Sequence, residues 1–438
     1  MNEHDSERMA GLLEQHGYVP AVAEADADVI VVNTCSVRER SVDKLYSRLG
    51  EIRERTADRT TPPVVAVTGC VAQQEGGRLV RRDRSIYVVV GTQRLKELPA
   101  LLDAAGQARR PRVDVSLHDD VSFPLGVAKH ADAVRARVTI VEGCNEFCAF
   151  CVVPYTRGHE RMRPSADIVA EVRAAVDAGR REVQLLGQIV NHYQAPDDPS
   201  CDFPELLARV SAVPGVLRVR FASPHPRHVT DRMIAALRDL PNVCKHLHLP
   251  VQSGSNAILS AMRRRYTREA YLDLVARARH EVRGLTVSTD MIVGFPGETA
   301  EDFDRTMDLV RRIRYSSMYS FKYSPRPNTL ALKRLPDDVP EAEKTRRILE
   351  LQALQRAIQA EAHEALVGSV HEVLVDGASA RRSWELAGRT SGNHVVNFPG
   401  PPDWLGRIVP VTITTAGPNS LRGELAGAAQ SVGVSHVD

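Results

Sequence analysis

The chain has 438 residues, 43% of them hydrophobic and 26% charged, and 57 Lys and Arg against 55 Asp and Glu leave a net charge of +2. That length and balance describe a multidomain globular protein and exclude global disorder or a uniformly basic polyanion binder. The longest apolar runs, residues 29–32 and 86–90, fall far short of the ~18 residues of a membrane span, and the polar start Met1-Asn2-Glu3-His4-Asp5 lacks a signal peptide's basic end and apolar stretch, so a cytoplasmic protein is expected.

In chain order, β-branched runs at 29–32, 64–68 and 86–90 alternate with helix-compatible stretches at 41–55 and 95–104, which predicts an N-terminal α/β domain over residues 1–105. A polar stretch with Pro and Gly, 106–133, reads as a linker. Beyond it six βα units follow, with strands expected at 138–141, 183–186, 217–221, 245–249, 285–289 and 318–323. Six such units predict an open barrel of parallel strands, here over 134–364 with its linker helix. Ser165 opens a helix that ends at Gly179, Thr230 can cap another, and Thr299 with Asp302 has the form of a capping box. Residues 340–366 are helical in composition, and 365–428, rich in Val, Thr, Gly and Pro, read as a small β-barrel.

Seven cysteines, an odd number without an export signal, argue against a disulfide framework. Cys144, Cys148 and Cys151 form C-x3-C-x2-C directly after the first barrel strand, so three thiolates can converge on one metal centre. Two chemistries remain open at this point: zinc completed by a distant Cys or His, or a four-iron cluster that keeps one iron open. Ligands bind at the carboxyl ends of parallel strands, where Cys144, Gln188, Ser223, Pro250 and Asp290 are all expected. Gln188 and Asn191 after the second strand, and Asp290, Gly294 and Glu298 around the fifth, are candidate cofactor-pocket groups. Gly297 suits a tight turn. Cys201 and Cys244 read as unliganded thiols, Met262 as core, and His246 and His248 as sharing one face of a strand.

The cysteine motif resembles that of the radical S-adenosylmethionine enzymes. Asn33-Thr34-Cys35-Ser36-Val37-Arg38-Glu39, Gly69-Cys70-Val71-Ala72, Val153-Pro154-Tyr155-Thr156-Arg157-Gly158, His248-Leu249-Pro250-Val251-Gln252-Ser253-Gly254-Ser255 and Ile292-Val293-Gly294-Phe295-Pro296-Gly297-Glu298-Thr299 are similar to the methylthiotransferases within that group. The resemblance is nearest to those acting on N6-dimethylallyladenosine of tRNA. It extends to a TRAM-like C-terminal segment around Gly388-Arg389-Thr390 and Pro418-Asn419-Ser420-Leu421-Arg422-Gly423.

The resemblance implies a [4Fe-4S] cluster on Cys144, Cys148 and Cys151, S-adenosylmethionine on its open iron, and a 5′-deoxyadenosyl radical that removes hydrogen from C2 of the adenosine. It also implies an external electron donor, a monomeric protein, and an auxiliary cluster on Cys35 and Cys70. Three cysteines hold that second cluster in the family, the first in a Gly-Cys-Gln-Met-Asn-Glu stretch, whereas this sequence begins at Met1-Asn2-Glu3; a start assigned too late is the expectation. Gly187-Gln188-Ile189-Val190-Asn191 likewise departs from the family's Gly-Gln-Asn-Val-Asn. The same chemistry on threonylcarbamoyl-adenosine or a ribosomal-protein aspartate, and a non-enzymatic metal-stabilised RNA-binding protein, are the competing readings. RNA binding is not visible in charge: residues 367–438 carry five Arg against six Asp and Glu. Clusters at Arg157, Arg161 and Arg163, at Arg263 to Arg265, and at Arg78, Arg81, Arg82 and Arg84 are candidate phosphate contacts.

Overall fold

The computed structural model describes residues 1–36, 41–108, 110–117 and 128–427. Four parallel strands, Val29–Thr34, Val64–Gly69, Ile86–Val90 and Arg112–Asp114, form the N-terminal sheet in chain order. Alternation along the central strands loads both faces. Val65 and Val67 pack with Leu45, Leu49 and Ile52 on one side, while Ala66, Val88 and Val90 meet Met9, Leu98 and Leu102 on the other. Two features depart from the sequence reading. Arg112–Asp114, placed in the linker by its polarity, is the edge strand, and Asn2–Gln15 is a helix.

That helix went unread because its charges look solvated, yet His4, Asp5, Glu7 and Arg8 are all buried. Each finds a partner on the barrel: His4 Nδ1 lies 2.7 Å from Thr139 Oγ1, Asp5 accepts from Arg157 at 2.5 Å, Glu7 from Arg137 at 3.1 Å, and Arg8 donates to Glu142 at 2.7 Å. Burial, and then the Arg8 charge, hold the His4 imidazole down at about 4 despite Glu171 beside it. The unfolded chain takes up that proton near 6.5 and the folded one only near 4. Stability is therefore complete above pH 6.5 and is lost as pH falls toward 4, by on the order of 3 kcal/mol in full. His246 (about 3) and His394 (about 4), also depressed by burial, act in the same direction. Urea midpoints should drop between pH 7 and pH 5, and His4→Asn should narrow that drop; an unchanged pH dependence in the variant would exclude the assignment.

The middle of the chain is an open parallel barrel in two halves. Arg135–Thr139, Glu182–Leu186 and Arg218–Phe221 form one sheet, and His246–His248, Thr286–Val293 and Ser317–Lys322 the other. A single bridge, Val219 to Val243, joins them, and among the described residues the first and last strands do not pair. The caps form as the sequence indicates: Thr230 accepts from Met233 N–H, Thr299 and Asp302 make a reciprocal box, and Gly179 follows the helix Ser165–Asp177 at φ +93°. The first strand stops at Thr139 and the fifth runs on to Val293, so Asp290 lies inside a strand rather than beyond it. Cys201, Cys244 and Met262 are buried, and His246 and His248 both reach the Ser288 hydroxyl at 2.9 Å.

The C-terminal strands Val370–Ala378, Glu385–Thr390, Val395–Pro399, Ile408–Ala416 and Leu421–Leu425 close a small barrel over Val373, Val396, Phe398 and Val411. It seats against the amino ends of the larger barrel's strands. Arg218 donates to the carbonyls of Arg389 and Glu372, Arg220 to that of Thr390, and Thr286 to that of Gly392.

Candidate active site

At the opposite, carboxyl end, the first barrel strand passes the chain to a short antiparallel ribbon of Val141–Glu142 and Arg161–Met162, and the three-cysteine loop is the excursion this ribbon closes. Gly143, at φ +80°, is required there, because a Cβ would stand 2.0 Å from the His159 carbonyl oxygen. Backbone bonds pin the loop: Cys144 N–H to Gly158 O at 3.2 Å, Ala149 N–H to Met262 O at 3.0 Å, and Ala331 N–H to Ala149 O at 2.8 Å. Phe147 within the loop (φ +48°), Ser223 (+62°) and Gln252 (+76°) all adopt the left-handed conformation. Such residues cost of order 1–3 kcal/mol each and cluster at functional sites.

Burial pushes the Cys144 and Cys151 thiols up to about 12, so ligation there releases protons. Two donors are aimed at the sulfurs: Glu146 N–H stands 3.5 Å from Cys144 Sγ, and Arg264 Nη1 stands 3.3 Å from Cys148 Sγ. Arg264 is itself buried and bonded to Pro250 O and the Tyr266 hydroxyl. The Glu146 carboxylate, between the cysteines, accepts from His228 at 2.8 Å and ties the loop to the segment after the third strand. A cubane takes one thiolate per iron and suits three thiols distributed along a loop.

The second cysteine pair comes from the N-terminal sheet. Thr34 and Gly69 are register partners in parallel strands, so Cys35 and Cys70 leave adjacent strands side by side, with strands ~4.8 Å apart. A Cβ on Gly69 would meet Thr34 O at 2.4 Å, which is the closeness that brings the two ends together. Cys35 is exposed and Cys70 buried; burial raises the Cys70 thiol and the nearby Arg157 guanidinium opposes the rise. Val37, Arg38 and Glu39 of the same motif lie outside the described residues. Thr92 and Gln93 donate to the carbonyls of Thr156 and Arg157, fastening this domain onto the turn after Cys151.

A cavity of ≈ 400 Å³ has on its wall Cys151 of the barrel loop and Ser36, the residue after Cys35, together with Gln252, Asp290 and Lys322. Asp290 thus faces the chamber. Gln188, at the end of the second strand, has its Oε1 buried with no hydrogen-bond partner, an acceptor left available at the barrel mouth. Asn191 uses both ends of its amide on the His225 backbone. Glu298 accepts from Gly294 N–H at 2.6 Å and from Arg347 at 2.7 Å, fixing the turn after the fifth strand to the helix Glu341–Glu364. These two glycine-turn residues lie off the chamber wall.

The arginine clusters separate by burial. Arg157 is 5% exposed and paired with Asp5, Arg163 pairs with Glu171, and Arg264 faces Cys148, so these three are not phosphate contacts. Arg263, Arg265, Arg78, Arg81, Arg82 and Arg84 are exposed. Sequence reasoning missed Arg264 and Glu146; a basic run and a lone carboxylate carry no local sign of the thiols they serve.

Family profiles match the Radical SAM superfamily over residues 138–310, the uncharacterized protein family UPF0004 over 1–91, and the TRAM domain over 364–426. The chain is similar to the tRNA-2-methylthio-N(6)-dimethylallyladenosine synthase of Alkalilimnicola ehrlichii, 44% identical over 98% of this chain and 95% of the relative. It is 46% identical to the protein of that name from Acidithiobacillus ferrooxidans, over 97% of this chain and 95% of the relative. Among solved structures it is similar to the radical S-adenosylmethionine methyltransferase TsrM from Kitasatospora setae, with a TM-score of 0.56 at 16% identity over 85% of this chain and 74% of that one. It is also similar to the cobalamin-dependent radical enzyme OxsB, with a TM-score of 0.51 at 9% identity over 81% and 53%. At those identities the structural likeness speaks for the fold alone.

Proposed function

The chain belongs to the family of tRNA-2-methylthio-N(6)-dimethylallyladenosine synthases, a radical S-adenosylmethionine family, and from that membership we infer that it adds a methylthio group to C2 of N6-dimethylallyladenosine beside the anticodon of tRNA. The observation that carries this reading is the shared chamber: Cys151 of the barrel loop and Ser36, next to Cys35, stand on the wall of one cavity. A reaction that joins hydrogen removal at carbon to sulfur delivery needs both centres to reach one substrate atom.

Cys144, Cys148 and Cys151 would hold a [4Fe-4S] cluster, and Cys35 and Cys70 would supply two ligands to a second. When bound, the first cluster and S-adenosylmethionine supply one-electron chemistry able to activate a C–H bond that no acid or base can ionise. The protein's own contribution is positional. Arg264 and the Glu146 N–H aim donors at the sulfurs, Glu146 holds the loop, Gln188 and Asp290 present acceptors to the cofactor, and Asn191, Gly294 and Glu298 fix the turns around it.

Expression in a strain lacking its own enzyme, followed by mass spectrometry of digested tRNA, tests the assignment. Conversion of the dimethylallyl nucleoside to its methylthio form is expected. A methylthio group on threonylcarbamoyl-adenosine or on a ribosomal-protein aspartate would move the assignment to that substrate, and unchanged nucleosides and proteins would overturn it.

A further inference from the structure

The last barrel strand, Ser317–Lys322, is the free edge of its sheet, and Tyr319 in the middle of it is 60% exposed. Its register partner is Asp290 and its ring stands 6.2 Å from that of His248, so the tyrosine faces the side of the sheet that Asp290 presents to the chamber. A second groove of ≈ 360 Å³ adjoins it, and Ser320 and Phe321 line both this groove and the chamber. The groove therefore forms a rim of the chamber along the barrel's edge strand.

Three further groups stand on that rim. Arg356 is exposed and has no carboxylate partner among the described residues. Gln355 is 5% exposed, donates to Tyr315 O, and leaves its Oε1 buried without a partner. Asn419 comes from the C-terminal barrel, whose Pro418 carbonyl accepts from Gln359 at 2.8 Å. A buried amide oxygen with no donor calls for a ligand or water to complete it. An exposed aromatic face beside an unpaired guanidinium is the means by which proteins hold single-stranded RNA, through stacking and phosphate pairing.

We propose that this groove holds the nucleotide adjoining the target adenosine, with its base stacked on Tyr319, its phosphate at Arg356, and a base amine or 2′-hydroxyl donating to Gln355 Oε1. The proposal rests on the assignment of an RNA substrate but not on the identity of the modified nucleoside.

The test is the Kd of the full-length, cluster-loaded protein for a fluorescently labelled anticodon stem-loop, measured across a salt series. Tyr319→Ala should raise Kd by about 5- to 150-fold, the range that loss of one stacked base gives. Tyr319→Trp, which keeps a stacking face, should bind like the wild type. Arg356→Gln should lower the salt slope by about one phosphate contact. An unchanged Kd in Tyr319→Ala, or a Trp variant as weak as the Ala variant, overturns the stacking site; an unchanged slope in Arg356→Gln overturns the phosphate contact. Product analysis on the wild type runs beside this. Methylthiolated product with a Tyr319-independent Kd sinks the groove and leaves the reaction standing, whereas stacking-dependent binding without product does the reverse.

Discussion

Cys148→Ala is expected to abolish turnover and to lower the iron content of the reconstituted protein by about four atoms per chain, the content of one [4Fe-4S] cluster. Cys148 is the thiol that Arg264 contacts at 3.3 Å, on a loop whose backbone is fixed from three sides. Removing the sulfur therefore cannot be repaired by a neighbouring ligand sliding into place: Cys201 and Cys244 are both buried, Cys201 beside Arg209 and Cys244 beside Arg218 and Arg220. The Cys35→Ala variant supplies the contrast. It should keep the iron held by the barrel loop and retain S-adenosylmethionine cleavage to 5′-deoxyadenosine, while losing the methylthio product. Iron and sulfide analysis with nucleoside mass spectrometry reads both. Full iron in Cys148→Ala would remove the loop from its assigned role.

Arg157→Ala is the substitution expected to damage the fold most. Its guanidinium is 5% exposed and bonds Asp5, which is 1% exposed, at 2.5 Å. Deleting one partner leaves the other charge buried and unpaired, at a cost of about 3–5 kcal/mol. The loss falls on the junction between the N-terminal domain and the barrel, because Asp5 lies on the first helix and Arg157 caps the turn after Cys151. Limited proteolysis should release the N-terminal domain before the barrel unfolds. Arg157→Lys, which keeps the charge but not the forked geometry, should fall between. Wild-type resistance in the Ala variant would show that the pair contributes little.

Local patterns carried much of this architecture. The β-branched runs, the helix caps at Thr230 and Thr299, and the spacing of Cys144, Cys148 and Cys151 each follow from a few neighbouring residues, so they are legible one segment at a time. The first helix was not, because His4, Asp5, Glu7 and Arg8 satisfy their charges on residues more than a hundred positions away. A buried ion pair and a solvated charge have the same sequence. The same holds for Arg157 and Arg264, which composition places on the surface and the fold places behind the cysteines. At the candidate site the thiols and Asp290 were visible from spacing and strand order. The chamber itself was not, since it exists only where two domains meet.

The way the C-terminal barrel is attached bears on how this protein can be divided. The carbonyls of Arg389, Thr390 and Gly392 are taken by Arg218, Arg220 and Thr286 at the base of the large barrel. The hairpin holding the Gly388-Arg389-Thr390 motif is thus a fastening to the large barrel, while Asn419 lines the groove beside Tyr319. A fragment ending near residue 364 would take both carbonyl acceptors from the buried Arg218 and leave Arg220 with Glu182 alone, so the small domain is a foundation for the large barrel, and an enzyme cut before it should be recovered as aggregate rather than as a soluble protein.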